Sequence, residues 1–129
     1  DRIKVSTVLL NRDQIDQSHY LSEKAIIGIK KKKEASKARG CGFGAQFLNM
    51  DKPSYTIPAR YWKDGYDALV KYTEDDIRRL TILELKRIQT FPDEYILIGS
   101  KKDQIMQIGN AAACRFAYHL GVYIKSVLP

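Results

Sequence analysis

An α+β fold is predicted, with a small mixed domain of short strands and one basic helix followed by C-terminal helices. Three observations predict it. Short runs bearing Val, Ile, Leu and Tyr recur up to residue 72, divided by the turn signals Asp51-Lys52-Pro53 and Lys63-Asp64-Gly65. The lysine run Lys30-Lys31-Lys32-Lys33 lies inside a segment with its own helix start. Beyond residue 80 the apolar spacing is helical.

In chain order, Ile3 to Leu10 is expected to form a strand leading into a polar linker over residues 11–18. A helix starts after Ser22, its N-cap, with Glu23 at the positive end of the dipole, and ends before Gly40. Ala25, Ile26, Ile29 and Lys33 share one side, so the apolar stripe is short and the other faces are cationic. Residues 40–44, with glycine at alternate positions, form a loop. Strands are expected at Ala45–Leu48, Tyr55–Ala59 and Ala68–Tyr72. Thr81 and Glu84 form a T-x-x-E capping box with Leu80 and Leu85 in the staple positions, which predicts a helix over 82–90. That helix stops at Phe91-Pro92, because the residue before proline disfavours helix. A last helical region begins near Asp103, is interrupted at Gly109-Asn110 and runs to about Val127, with Ala113, Phe116, Ala117, Leu120 and Ile124 as its stripe.

At 129 residues the chain fits one domain able to bury a core, and its hydrophobic fraction of 44% excludes a disordered polymer. A formal charge of +7 favours a polyanionic partner. No apolar run approaches the ~20 residues of a membrane span, and no secretory signal is present. Cys41 and Cys114 are too far apart in sequence to pair on a metal, and His19 and His119 lack metal-spaced partners, so reduced thiols in a cytoplasmic, metal-free protein are expected. The start at Asp1 rather than Met points to a fragment, a cleaved product or a trimmed chain.

Arg78-Arg79-Leu80-Thr81-x-x-Glu84-x-x-Arg87-Ile88-Gln89-Thr90-Phe91-Pro92-Asp93, followed by Gln107-Ile108-Gly109-Asn110-Ala111, resembles the last two motifs of the cytosine-C5 DNA methyltransferases. Pro53 to Arg60 is similar to the Pro-x-x-Thr-Ile-x-Ala-Arg stretch near the end of that family's target-recognition region. Tyr20 to Ala25 and the lysines before Gly42-Phe43 resemble the recognition region of one branch. The resemblance covers nearly all of the chain and is most specific over 51–124. It implies a recognition region over 1–77 and a C-terminal helical segment over 78–129 that packs on a Rossmann-like S-adenosylmethionine domain outside this sequence.

The resemblance also implies site residues. Thr56 inherits a contact to the phosphate beside the flipped cytosine, and Arg60 and Lys63 are phosphate or base contacts. Asn110 and Ala111 inherit a contact to S-adenosylmethionine, whose site is otherwise formed by the N-terminal portion. Arg79, Thr81 and Glu84 are structural, since this motif organises the recognition region. Family members usually continue the tenth motif with Val and prolines, where this chain has Ala112-Ala113-Cys114.

The basic segment reads either as a solvated helix or as a phosphate-contacting one. The adjoining glycines and Phe43 favour the second, which assigns Lys24, Lys30, Lys31, Lys33, Lys37, Arg39, Gly42 and Phe43 to DNA. Gly40-x-Gly42-x-Gly44 is no nucleotide loop, because a charged helix precedes it and a strand-like run follows. The family's nucleophile lies in Pro-Cys-Gln, whereas Cys41 lies in Gly-Cys-Gly, and no catalytic residue is assigned. The expectation is therefore the DNA-reading part of a DNA (cytosine-5-)-methyltransferase, inactive without its N-terminal catalytic portion or a separate catalytic subunit. The alternatives are a stand-alone basic DNA-binding or regulatory module, and a degenerate remnant.

Overall fold

The computed structural model describes residues 2–40 and 44–129. Gly42 and Phe43, assigned to DNA above, lie outside the described residues, as does Cys41. Seven regular elements follow in order: α1 (Glu23–Ala38), α2 (Tyr61–Asp64), β1 (Leu69–Lys71), β2 (Ile77–Arg79), α3 (Ile82–Ile88), α4 (Lys101–Asn110) and α5 (Cys114–Val127). The strands form one antiparallel pair, with Leu69 opposite Arg79, Val70 opposite Arg78 and Lys71 opposite Ile77. Short strands with a basic helix and C-terminal helices are the mixed α+β architecture expected.

Because side chains alternate across a strand, the hairpin serves two cores. Val70 joins Val5, Ile57, Tyr61, Leu80, Leu85, Ile105 and Ile108 in the larger cluster. Leu69 and Ile77 join Ile26 and Ile29 of α1 in the smaller. The basic helix thus lies on one side of the hairpin, and α3 and α4 on the other.

Several elements differ from expectation, each for a local reason. Residues 3–10 make a 3-10 turn at Val5–Thr7 rather than a strand. Val5 and Val8 are both buried, a spacing that suits a helical turn and not a pleat. Ala45–Leu48 pairs with β1 by a single parallel bridge, Phe47 to Leu69. Tyr55–Ala59 is irregular, since only Ile57 of that run is buried and Pro58 has no N–H to give a ladder. β2 went unread because Thr73-Glu74-Asp75-Asp76 masks the return of a short hairpin, closed by Tyr72 N–H to Asp76 O at 2.9 Å. α4 starts earlier than Asp103 because Ser100 caps it: Ser100 Oγ accepts from Asp103 N–H, and Asp103 accepts from Ser100 N–H. Gly109 and Asn110 remain helical, and the interruption falls at residues 111–113 instead.

Candidate functional site

The region most firmly built is the one around α3. Glu84 closes the capping box by accepting Thr81 N–H at 2.8 Å while its own N–H bonds Thr81 Oγ1 at 3.1 Å. The same carboxylate takes two bonds from Arg78, both at 2.8 Å, and one from Leu10 N–H at 3.0 Å. Arg78 and Glu84 are both fully buried. A buried charge pair is tolerable only when its remaining donors and acceptors are met. Here they are, since Arg78 also reaches the Tyr72 hydroxyl and the Arg79 carbonyl. One carboxylate therefore joins the N-terminal segment, β2 and α3. Of the two adjacent arginines, Arg78 takes this bond. Arg79, on the opposite strand face, lies against Gly65 and over the Tyr66 ring at 5.9 Å. Neighbouring Tyr61 donates to Ala68 O and accepts from Leu80 N–H, and burial pushes its phenol up to about 12.

The second motif is held against the first. Gln89 Nε2 donates to the carbonyls of Ile108 and Ala111, both at 3.0 Å, spanning the end of α4. Gln89 O accepts from Cys114 N–H at 3.1 Å and Thr90 Oγ1 from Arg115 N–H at 2.9 Å, which caps α5 from outside its own helix. Thr90 adopts φ 59°, a strained conformation for a β-branched residue, and it does so where it completes this cap. The break between α4 and α5 is thus fixed by hydrogen bonds without the family's prolines, and the Cys114 N–H it uses is one a proline would lack. Gly109 faces Pro58 and Ala59 so closely that a Cβ there would lie 2.5 Å from Ala59 Cα. Glycine permits that approach.

This contact brings sequence-assigned residues together. Thr56 is exposed and lines an open groove of about 710 Å³ with Gln89, Thr90, Ala113 and Phe116. Asn110, exposed, ends α4 next to Gly109, and Ala111 is the residue whose carbonyl Gln89 holds. The Thr56–Arg60 segment and the Asn110–Ala111 corner therefore form one locality. Arg60, at the start of the short helix α2 that follows, and Lys63, on it, are exposed.

The α1 cations occupy a different side, on the smaller cluster. Lys24, Lys31 and Lys37 are exposed. Lys30 reaches Asp75 at 3.1 Å, and Lys33 stands 5.5 Å above the Phe47 ring. Such exposed pairs add little stability. Arg39 lines a groove between the end of α1 and Gly44.

Missed by sequence reasoning were Gln89 and Thr90 as external caps, and the Lys102 amine 4.4 Å above the Trp62 ring. Only long-range geometry shows these. The Ser100-x-x-Asp103 box, also missed, carries a local signal of the same kind as Thr81-x-x-Glu84.

In α5, Phe116, Tyr118, Tyr123 and Val127 are 61–68% exposed, and Leu120 and Ile124 about half exposed. Before it, Ile96 and Ile98 are about four-fifths exposed. No helix among the described residues is long and apolar enough to cross a membrane.

The sequence profile of the C-5 cytosine-specific DNA methylase family matches residues 3–126. The type II methyltransferase M1.ScrFI of Lactococcus lactis subsp. cremoris is 30% identical over 88% of this chain, and M.NlaX of Neisseria lactamica is 30% identical over 88% as well. M.SsoII of Shigella sonnei is 34% identical over 77%. The chain spans only 29%, 36% and 26% of these relatives, respectively. The fold is also that of the methyltransferase EhMeth from Entamoeba histolytica, with TM-score 0.71 and 20% identity, covering all of this chain and 42% of that one. A match to the family profile over nearly the whole chain shows that this chain belongs to the C-5 cytosine-specific DNA methylases.

Proposed function

We propose that the chain is the DNA-gripping and closing portion of a DNA (cytosine-5-)-methyltransferase, which moves a methyl group from S-adenosylmethionine to C5 of a flipped cytosine. The observation that carries this is α5. A capped helix with a strongly apolar surface in water is unfavourable unless a partner covers it, and the chain spans about a third or less of the curated relatives named above. The partner is the N-terminal catalytic portion, on the same polypeptide or as a separate subunit.

In this reading residues 1–77 are the recognition region and 78–129 the closing segment. Lys24, Lys30, Lys31, Lys33, Lys37 and Arg39 neutralise phosphates of duplex DNA and set position rather than sequence. Thr56, Arg60 and Lys63 hold the backbone next to the extruded base. Gly42 and Phe43 keep their sequence assignment to DNA. S-adenosylmethionine, when bound, supplies the methyl group. The exposed Asn110 amide, with one donor and one acceptor edge at the end of α4, suits a polar contact to it, and Ala111 shapes the adjoining wall. The nucleophilic thiolate belongs to the catalytic portion. The enzyme works in the cytoplasm, within a restriction-modification system.

The test mixes the purified chain with a polypeptide carrying the family's N-terminal motifs and follows labelled methyl transfer to duplex DNA. Activity in the mixture and in neither chain alone is the expected result. Salt-sensitive duplex binding without any complementation would replace this reading by a stand-alone binding module.

A further inference from the structure

Between α2 and the start of α4 lies a pocket of about 290 Å³ lined by Tyr61, Trp62, Arg79, Leu80, Lys101, Lys102 and Ile105. Among the described side chains its lining holds three cations and no carboxylate. Asp103, the nearest acid on α4, is committed to the Ser100 cap, which holds its carboxyl below the usual range. Tyr61 contributes a wall and no spare donor, since its hydroxyl already serves Ala68 and Leu80. Arg79 differs from its neighbour Arg78 in one respect. Its Nε is buried and has no hydrogen-bond acceptor. A buried guanidinium N–H without an acceptor is unfavourable, and an oxyanion is the group that best completes it. Lys102 rests its ammonium 4.4 Å from the Trp62 ring centre, a cation held over an aromatic at the pocket rim.

We infer that this α2–α4 pocket is a phosphate-binding site for the backbone of duplex DNA, with Lys101, Lys102 and Arg79 as its cations and Trp62 as its apolar edge. The phosphodiester is favoured over other anions because Arg60, the residue that precedes α2, and Lys63 on α2 are exposed beside Trp62. The inference rests on the DNA reading above and adds a contact remote from the α1 lysines. Lys101 and Lys102 are exposed, so their removal leaves the fold intact.

Trp62 is the chain's only tryptophan, so intrinsic fluorescence reads this pocket directly. Titrating the 129-residue chain with a short duplex should shift Trp62 emission in a salt-dependent manner. Lys101→Ala with Lys102→Ala should abolish the shift and reduce the slope of log K against log salt by about 1, as expected for one phosphate contact. Lys31→Ala with Lys37→Ala should weaken binding yet keep the full Trp62 shift at saturating duplex. Wild-type affinity and slope in the Lys101/Lys102 variant, while the α1 variant weakens binding, would sink the pocket and leave the DNA reading standing. A Trp62 shift with S-adenosylmethionine but not duplex would also overturn it. Failure of every form to bind duplex would sink both.

Discussion

Helices α3 and α5 stand at opposite extremes of burial. In α3, Glu84 and Leu85 are wholly buried, and the Glu84 carboxylate bonds three separate parts of the chain. In α5, Phe116 and Tyr123 are roughly two-thirds exposed, although the helix is longer and its start is capped from outside. The contrast separates two demands on the sequence. Residues around α3 are satisfied within the chain and set its stability. Residues along α5 are left exposed, and in the function proposed above they set its association. Substitutions in the two helices should therefore be read by different instruments.

The largest effect should come from breaking the α3 centre. Glu84→Gln leaves the Arg78 guanidinium buried without its counter-charge, and removing one partner of such a pair destabilises by about 3–5 kcal/mol. Against a typical total of about 5–15 kcal/mol, the urea midpoint should collapse. The matching change in α5, Leu120→Ser, should alter stability by less than about 0.5 kcal/mol and instead abolish complementation by the catalytic portion. Equal losses of stability from both substitutions would erase the distinction.

Next is Gly109→Ala, which tests the corner joining the two motifs. A methyl group 2.5 Å from the Ala59 backbone must displace it, so a loss of about 1–3 kcal/mol is expected. The displaced segment carries Thr56 and Arg60, so methyl transfer in the complemented enzyme should fall more than stability does. Unchanged thermal melting would show that the Pro58–Ala59 segment yields freely.

How much of this was legible in the sequence follows the range of the interactions. The Thr81–Glu84 box and the Ser22 cap are local patterns spanning three residues, and the structure forms both. The cationic α1 and the apolar stripe of α5 were plain for the same reason, because helical periodicity is local. What the sequence hid is what distance creates. Nothing near Gln89 announces that its amide holds Ile108 and Ala111, and nothing near Gly109 names Ala59 as the atom it must avoid. The strand expected at Tyr55–Ala59 gives way where Pro58 has no N–H to give a ladder and Ala59 packs on Gly109. The choice between Arg78 and Arg79 depended on strand register, which two adjacent arginines cannot reveal.

A smaller effect belongs to Tyr61, on the α3 side. Its folded phenol titrates near 12 against about 10 in an unfolded chain. A group raised on folding contributes fully below the unfolded value and loses that contribution as pH climbs to the folded one. Stability should thus fall between about pH 10 and 12. Tyr61→Phe should lose about 1–3 kcal/mol at neutral pH, from the stranded Leu80 N–H and Ala68 O, and then decline less steeply across that window. Parallel declines in urea midpoint would show that Tyr61 ionises equally in both states.

Gly121→Ala gives the smallest expected change and the sharpest test of α5. Beyond its chain neighbours and the backbone of its own helix turn, nothing lies within 4 Å of the site where its Cβ would go. In an exposed helix interior, alanine stabilises over glycine by roughly 0.5–1 kcal/mol, so helix content by circular dichroism should rise. Gly121 sits one turn beyond Ala117 and three residues before Ile124, at the edge of the apolar stripe. If the catalytic portion packs tightly on that stripe, the added methyl meets its surface, and complementation should weaken although the chain itself is firmer. A gain in helicity coupled to a loss in association is the signature of a face built for another surface. A gain in both would mean that α5 meets its partner elsewhere around its circumference.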